Sequence, residues 1–185
     1  MGKIREIKAK LAGMDIEVVS QREAGFDIEV EETGTTIEEN SMLKAKTIYD
    51  LAKTPVIADD GGLEVDYLDG RPGVYSARFC GPDATDKDKY MKILEMMKDV
   101  PDEERTARFR CIISYIDENG VGHAFEGICN GKIAYEPMGD NDFGYDPIFL
   151  VGDKSFAQIS EEEKNKISHR GRAIDKWVQY LKDVK

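Results

Sequence analysis

The chain has 185 residues, 41% hydrophobic and 34% charged, with a formal net charge of −11 at pH 7. That length supports a core without disulfide or metal staples. The acidic balance argues against non-specific nucleic-acid binding, which relies on Lys and Arg to neutralise phosphates. No apolar run approaches membrane-spanning length and no signal-peptide pattern opens the chain. We therefore expect one cytoplasmic domain over residues 1–185, with no membrane partner. Cys80, Cys111 and Cys129 are widely separated and form no CxxC, as expected of reduced core residues rather than a disulfide frame or zinc site.

In chain order, Gly2 to Ala12 predicts a helix carrying Ile4, Ile7, Ala9 and Leu11, ended by Gly13. Ile16–Val19 alternates as a strand, and the acidic stretch over 21–36 reads as a loop or exposed edge. Thr36-Ile37-Glu38-Glu39 fits a capping box for a helix to about Lys53, with Met42, Leu43, Ala45, Ile48, Tyr49 and Ala52 as its apolar face. Pro55 ends that helix.

The run Val56-Ile57-Ala58 predicts a short buried strand that stops at Asp59-Asp60-Gly61-Gly62. Alternation along a strand sends the two acids to opposite faces, so they are expected to do different jobs. The glycines would let the backbone turn and a ligand approach. Leu63-Glu64-Val65 and a turn over Asp69–Gly73 follow.

Asp83–Asp86 begins a helix through Tyr90, Ile93, Leu94 and Met97, with Met91, Met96 and Met97 expected in the core. Thr106–Ile116 and Gly122–Cys129 predict a hairpin closed by Glu118-Asn119-Gly120. His123, on its second strand, is expected to be structural. A polar and aromatic loop over Asp140–Pro147 leads into a strand at Ile148–Leu150. Ser160–Glu163 reads as a second capping box, for a short helix over Lys164–Ser168. His169-Arg170-Gly171 interrupts it before a final amphipathic helix bearing Ala173, Ile174, Trp177, Val178, Tyr180 and Leu181. Helices alternating with strands around a central hairpin predict an α/β fold with a mixed sheet.

Three acidic pairs, Glu31-Glu32, Glu38-Glu39 and Asp59-Asp60, supply hard oxygen donors with few histidines nearby, which favours magnesium or manganese over zinc or iron. For the two Glu pairs taken alone, a solvated, charged surface explains the residues better. Lys3, Lys44, Lys164 and Arg170 lie at or beside a glycine, a cap or a helix end, where phosphate binds readily. Phe143 and Tyr145 flank Gly144, with Asp146 next, which suits stacking on a base and accepting hydrogen bonds from it, or simply a turn before a strand.

Several blocks together resemble the inosine triphosphate pyrophosphatase family. They are Gly2–Ile7, Glu31–Gly34, Glu39–Ala45, Ala58–Leu63, Pro72–Arg78, Phe143–Pro147 and Ser168–Arg170. They come in family order and span nearly the whole chain.

The resemblance implies magnesium-dependent hydrolysis of ITP, dITP and XTP to monophosphate and pyrophosphate. It implies an elongated mixed sheet in two lobes with flanking helices, the Maf/ITPase architecture, and a homodimer. Asp60 would be general base and metal ligand, and Glu32 the other metal carboxylate. Lys3, Lys44 and Lys164 would handle the phosphates, with the backbone at Gly2 and Gly61 beside them. Phe143, carried by Gly144 and Tyr145, would stack on the purine, and Asp146, His169 and Arg170 would read its edge.

The chain departs from the family pattern twice. The usual opening strand, and the Asn of its Thr/Ser-x-Asn-x-x-Lys loop, are expected to be lacking, since Met1 stands inside that loop. Gly61 stands where a Ser is usual, keeping a backbone amide but no hydroxyl. The first departure leaves a catalytically impaired nucleotide-binding protein as the alternative; a hydrolase of modified pyrimidine nucleotides is the other.

Overall fold

A computed structural model describes residues 2–184. Met1, and with it the expectation attached to that position, lies outside them. The helices are α1 (Gly2–Lys10), α2 (Ile37–Ala52), α3 (Asp86–Met97), α4 (Glu161–Ile167) and α5 (His169–Asp183). Strands β1 (Val56–Val65), β2 (Thr106–Ile116), β3 (Gly122–Ile133), β4 (Phe149–Val151) and β5 (Lys154–Ser155) follow one another in sequence order across one sheet. The fold is thus mixed α/β, with helices flanking a five-stranded sheet. β4 pairs antiparallel with both neighbours, setting Ile133 opposite Phe149 and Leu150 opposite Ser155.

The chain divides into two compact units, each built from separate segments. Among the described residues, the first comprises 2–60, Cys111–Gly127 and 169–184. Its core gathers Leu11, Cys111, Ile113, Tyr115 and the apolar stripe of α5: Ala173, Ile174, Trp177, Val178 and Leu181. That stripe recurs at helical spacing, so one face is buried while Lys176 and Lys182 stay in water. At Gly127 an added Cβ would lie 1.9 Å from the His169 carbonyl oxygen. Only glycine lets the first turn of α5 rest this closely on β3.

The second unit comprises Gly61–Arg110 and Ile128–Ser168. Phe109 stacks on Phe156 and tilts against Phe149, and Tyr90, Ile93, Leu94 and Met97 of α3 complete the core. Arg105 is 1% exposed, and no carboxylate accepts a hydrogen bond from it among the described residues. Its guanidinium donates instead to the carbonyls of Met97, Val100, Ile133 and Ala134, which supplies the hydrogen bonds that a buried charge requires.

Several expectations need correction. Ile16–Val19 forms no strand. The alternation is present, with Ile16 and Val18 against the core and Glu17 and Val19 exposed, but no neighbouring strand pairs with it. β1 does not stop at Asp59; it runs through both acids and both glycines to Val65. Gly62 makes no turn. An added Cβ there would sit 2.1 Å from the Gly73 carbonyl oxygen, so the glycine admits a backbone, not a ligand. Thr36 does cap α2, but the Glu39 carboxylate accepts from Thr35, one residue earlier than a capping box requires. Ser160 and Glu163 form the expected box, with α4 starting at Glu161. His169–Gly171 belong to α5 rather than interrupting a helix. Met91 and Cys80 are exposed, unlike Met97, Cys111 and Cys129. His123 is structural, set between Asp117 and the Tyr180 hydroxyl.

Candidate active site

In the first unit, β1 places two acids side by side and gives each a different partner. Asp59 accepts from Lys3 Nζ at 3.0 and 3.2 Å and from Arg170 Nε at 3.3 Å. Asp60 accepts from Lys44 Nζ at 2.9 Å, and the same ammonium donates to Glu32 at 3.1 Å. This is the alternation of a strand acting on charged residues.

The supports of these groups are local. Ser41, fully buried on α2, donates to the carbonyls of Ala58 and Ile112, fixing the helix against the strands. Lys44 stands one turn of helix later and so reaches Asp60. Asn40 accepts from the Gly34 amide at 2.7 Å and thereby holds the segment that carries Glu32. A Cβ on Gly34 would meet the same Asn40 oxygen at 2.5 Å, which explains the glycine.

The electrostatics of the two acids differ. Burial pushes the Asp60 carboxyl up, and the charges of Glu32 and Asp59 add to this; Lys44 opposes them and does not overcome them. Lys44 is itself raised, because Asp60 and Glu32 outweigh the effect of its burial. One ammonium serves two carboxylates with a third adjacent, so the Asp60 carboxyl stays above its ordinary range. Burial also pushes Asp59 up, but Lys3 and Arg170 together reverse it and hold that carboxyl below the ordinary range.

Asp60 Oδ2 is buried and has no hydrogen-bond partner among the described residues. An unpartnered buried carboxylate oxygen is costly unless something binds it, and its donor type suits a hard cation or a water proton. No cluster of three or more His, Cys, Asp or Glu gathers among the described residues. Any cation here would rest on two carboxylates, Asp60 and Glu32, which is a usual number for magnesium.

In the second unit, Phe143 is 61% exposed, and Lys164 Nζ lies 5.4 Å from its ring centroid. Lys164 is ion-paired with Asp146, which is almost fully buried. Gly144 takes a φ of 56°, in the left-handed region. Tyr145 is buried, and its hydroxyl donates to the Ser76 carbonyl at 2.7 Å, so it anchors the loop instead of presenting a ring. Gly61 lies exposed on β1.

The structure thus brings Lys44 to Glu32 and Asp60, Lys3 to Arg170 through Asp59, and Lys164 to Phe143 and Asp146. Arg170 sits on Asp59 together with Lys3, and Lys164 lies beside Phe143 and Asp146. Sequence reasoning did not assign roles to Asp59, Asn40 or Ser41. A signal existed for the last: Ile37, Ser41, Ala45 and Ile48 share one helical face, and a polar residue on such a face must have a partner.

The model of the Ham1 family matches residues 1–180. The chain belongs to the Ham1 family. A relative in Escherichia coli K12, named dITP/XTP pyrophosphatase, is 44% identical over 187 residues, covering 99% of this chain and 94% of that one. A protein of the same name in Bacillus licheniformis is 48% identical over 182 residues, covering 97% and 93%. Among solved structures, the Ham1 protein of Staphylococcus aureus superposes with a TM-score of 0.91 at 41% identity, covering 100% of this chain and 95% of that one. The Mycobacterium abscessus nucleoside-triphosphatase, also titled dITP/XTP pyrophosphatase, gives 0.78 at 35% identity, covering 97% and 92%.

Proposed function

We propose that this chain is a nucleoside triphosphate pyrophosphatase that hydrolyses deaminated purine nucleotides, ITP, dITP and XTP, to the monophosphate and pyrophosphate. The observation that carries this reading is Asp60: a half-buried carboxylate with one oxygen on Lys44 and the other, itself buried, without a hydrogen-bond partner among the described residues. The names borne by the Ham1 relatives point the same way.

Asp60 acts as general base. It takes a proton from a water whose oxygen forms a bond to the α-phosphorus, while the bond from that phosphorus to the bridging oxygen breaks and pyrophosphate leaves. The raised Asp60 carboxyl brings its basicity closer to neutral pH than an ordinary aspartate. Lys44, held between Glu32 and Asp60, and Lys3, held by Asp59, provide positive charge where the phosphate chain gathers negative charge. The backbone amides at Gly2 and Gly61 serve the same chain. Glu32 and Asp60 would hold magnesium, or manganese, whose chemistry is to neutralise phosphate oxygens and stabilise the leaving pyrophosphate.

The exposed Phe143 ring stacks on the purine, with Gly144 and Tyr145 shaping its loop and Lys164 beside it. Asp146, His169 and Arg170 distinguish a 6-keto purine from adenine, whose amino group would leave polar groups unpaired. A cytoplasmic location and a homodimer complete the proposal.

The deciding assay is pyrophosphate release from ITP with magnesium, repeated after chelation and with ATP and dUTP in place of ITP. Turnover of ITP that is lost on chelation and weak for ATP and dUTP is expected. ITP binding without pyrophosphate release would instead identify a binding module.

A further inference from the structure

The loop that carries Phe143 contains no helix or strand from Ala134 to Tyr145, yet its exposed ring needs a defined position to act as a platform. Two side chains of α3 provide it. Asp86, in the first turn, accepts from the Gly144 amide at 2.8 Å. Tyr90, one turn later on the same helical face, donates from its hydroxyl to Asp142 at 2.8 Å. The residues immediately before and after Phe143 are therefore each tied to α3. The phenyl ring of Tyr90 is itself locked in the core at 2% exposure, and Lys89 pairs with Asp86 at 2.9 Å and holds its carboxylate in place.

We propose that Asp86 and Tyr90 are positioning residues that preorganise Phe143 for stacking on the substrate base. The inference rests on the role given to Phe143 above. An aromatic ring on a free loop would lose conformational entropy when a base stacks on it; a ring pinned on both sides has lost it already. The effect falls on base recognition and leaves the phosphate chemistry of Asp60 and Lys44 untouched. Thr85 serves as an internal control. It caps the same helix through Asp88 and makes no hydrogen bond to the loop among the described residues, so Thr85→Ala weakens α3 without releasing Phe143.

The test compares Asp86→Ala, Asp86→Asn, Tyr90→Phe, Thr85→Ala and Phe143→Ala with the unaltered chain. It measures KM and kcat for ITP, and the inhibition constant of inorganic triphosphate, which has no base. Asp86→Ala and Tyr90→Phe should each raise KM for ITP by about fivefold to tenfold, the loss of one protein hydrogen bond, and leave kcat within about twofold. Asp86→Asn retains an acceptor for the Gly144 amide and should recover most of the affinity. Triphosphate inhibition should not change. Because Tyr90→Phe keeps the buried ring, it remains informative even if Asp86→Ala folds poorly.

An unchanged KM in both α3 variants, an equal rise in Thr85→Ala, or a parallel weakening of triphosphate would each overturn the proposal. If Phe143→Ala raises KM while Asp86→Ala and Tyr90→Phe do not, the clamp alone is wrong. If Phe143→Ala leaves KM unchanged, the stacking role is wrong and the clamp falls with it. No turnover of ITP by the unaltered chain would refute the proposed function itself.

Discussion

The neighbouring acids of β1 should respond oppositely to the same chemical change, Asp to Asn. Asp59 is 21% exposed and binds two cations, Lys3 and Arg170. A charged hydrogen bond in a protected site is worth about 1.5–3 kcal/mol, but Lys3 is 56% exposed, which brings its share into the surface range of about 0–1 kcal/mol. Asparagine can still accept one of the two bonds. The net loss in Asp59→Asn is then about 1–2 kcal/mol, or a fall in Tm of about 2–8 °C for a chain of this size.

Asp60 behaves differently because its carboxyl is raised: burial and two nearby carboxylates make its charge unfavourable in the folded state. Neutralising it removes that cost, so Asp60→Asn should leave Tm unchanged or higher. Catalysis should follow the reverse order. Asp60→Asn removes the proposed base and should cut kcat by about 10²–10⁴, while Asp59→Asn only loosens Lys3 and Arg170 and should cut kcat/KM by about tenfold. The assays are thermal unfolding in the presence of chelator, so that no cation occupies Asp60, and pyrophosphate release from ITP. A larger fall in Tm for Asp60→Asn than for Asp59→Asn, or equal losses of kcat, would refute the division of labour between the two.

Phe143→Ala should raise KM for ITP by about tenfold with kcat little changed, the size expected for one aromatic stacking contact, as read by initial rates. Gly127→Ala should destabilise by at least about 2 kcal/mol in urea unfolding, because its Cβ would collide with the His169 carbonyl and displace the first turn of α5. The helix-cap carboxylates set an acid limit. Bonds from Thr85 hold Asp88, and bonds from Ser160 hold Glu163, below their ordinary values. A depressed carboxyl stabilises the fold above its unfolded pKa and loses that contribution as pH falls through the folded value. Helix content followed by circular dichroism should therefore hold at neutral pH and begin to fall below about pH 4.

Local signals were legible wherever the residues concerned answer to their own neighbours. The Thr36 and Ser160 caps, the Asn119-Gly120 turn, the full span of β2 and the apolar stripe of α5 all follow from short-range periodicity and hydrogen bonding. Composition and motif order likewise marked Glu32, Lys44, Asp60 and Phe143 as candidates. The misreadings arose where a distant segment decides. Ile16–Val19 has a strand's pattern but no partner to pair with. Gly61-Gly62 reads as a turn, yet β1 continues through it, because the Gly73 backbone after the following turn packs against Gly62.

By itself, then, the sequence determined which residues are chemically able to serve and where most helices and strands form, since capping and periodicity act within a few residues. Tertiary structure alone decided the pairings. Lys3 meets Asp59 across 56 positions and Arg170 meets it across 111, and Ser41 reaches Ile112 across 71. A carboxylate's charge state depends on which cations and how much water surround it, and those neighbours exist only once the chain has folded. That is why two identical side chains, adjacent on one strand, have carboxyls shifted in opposite directions.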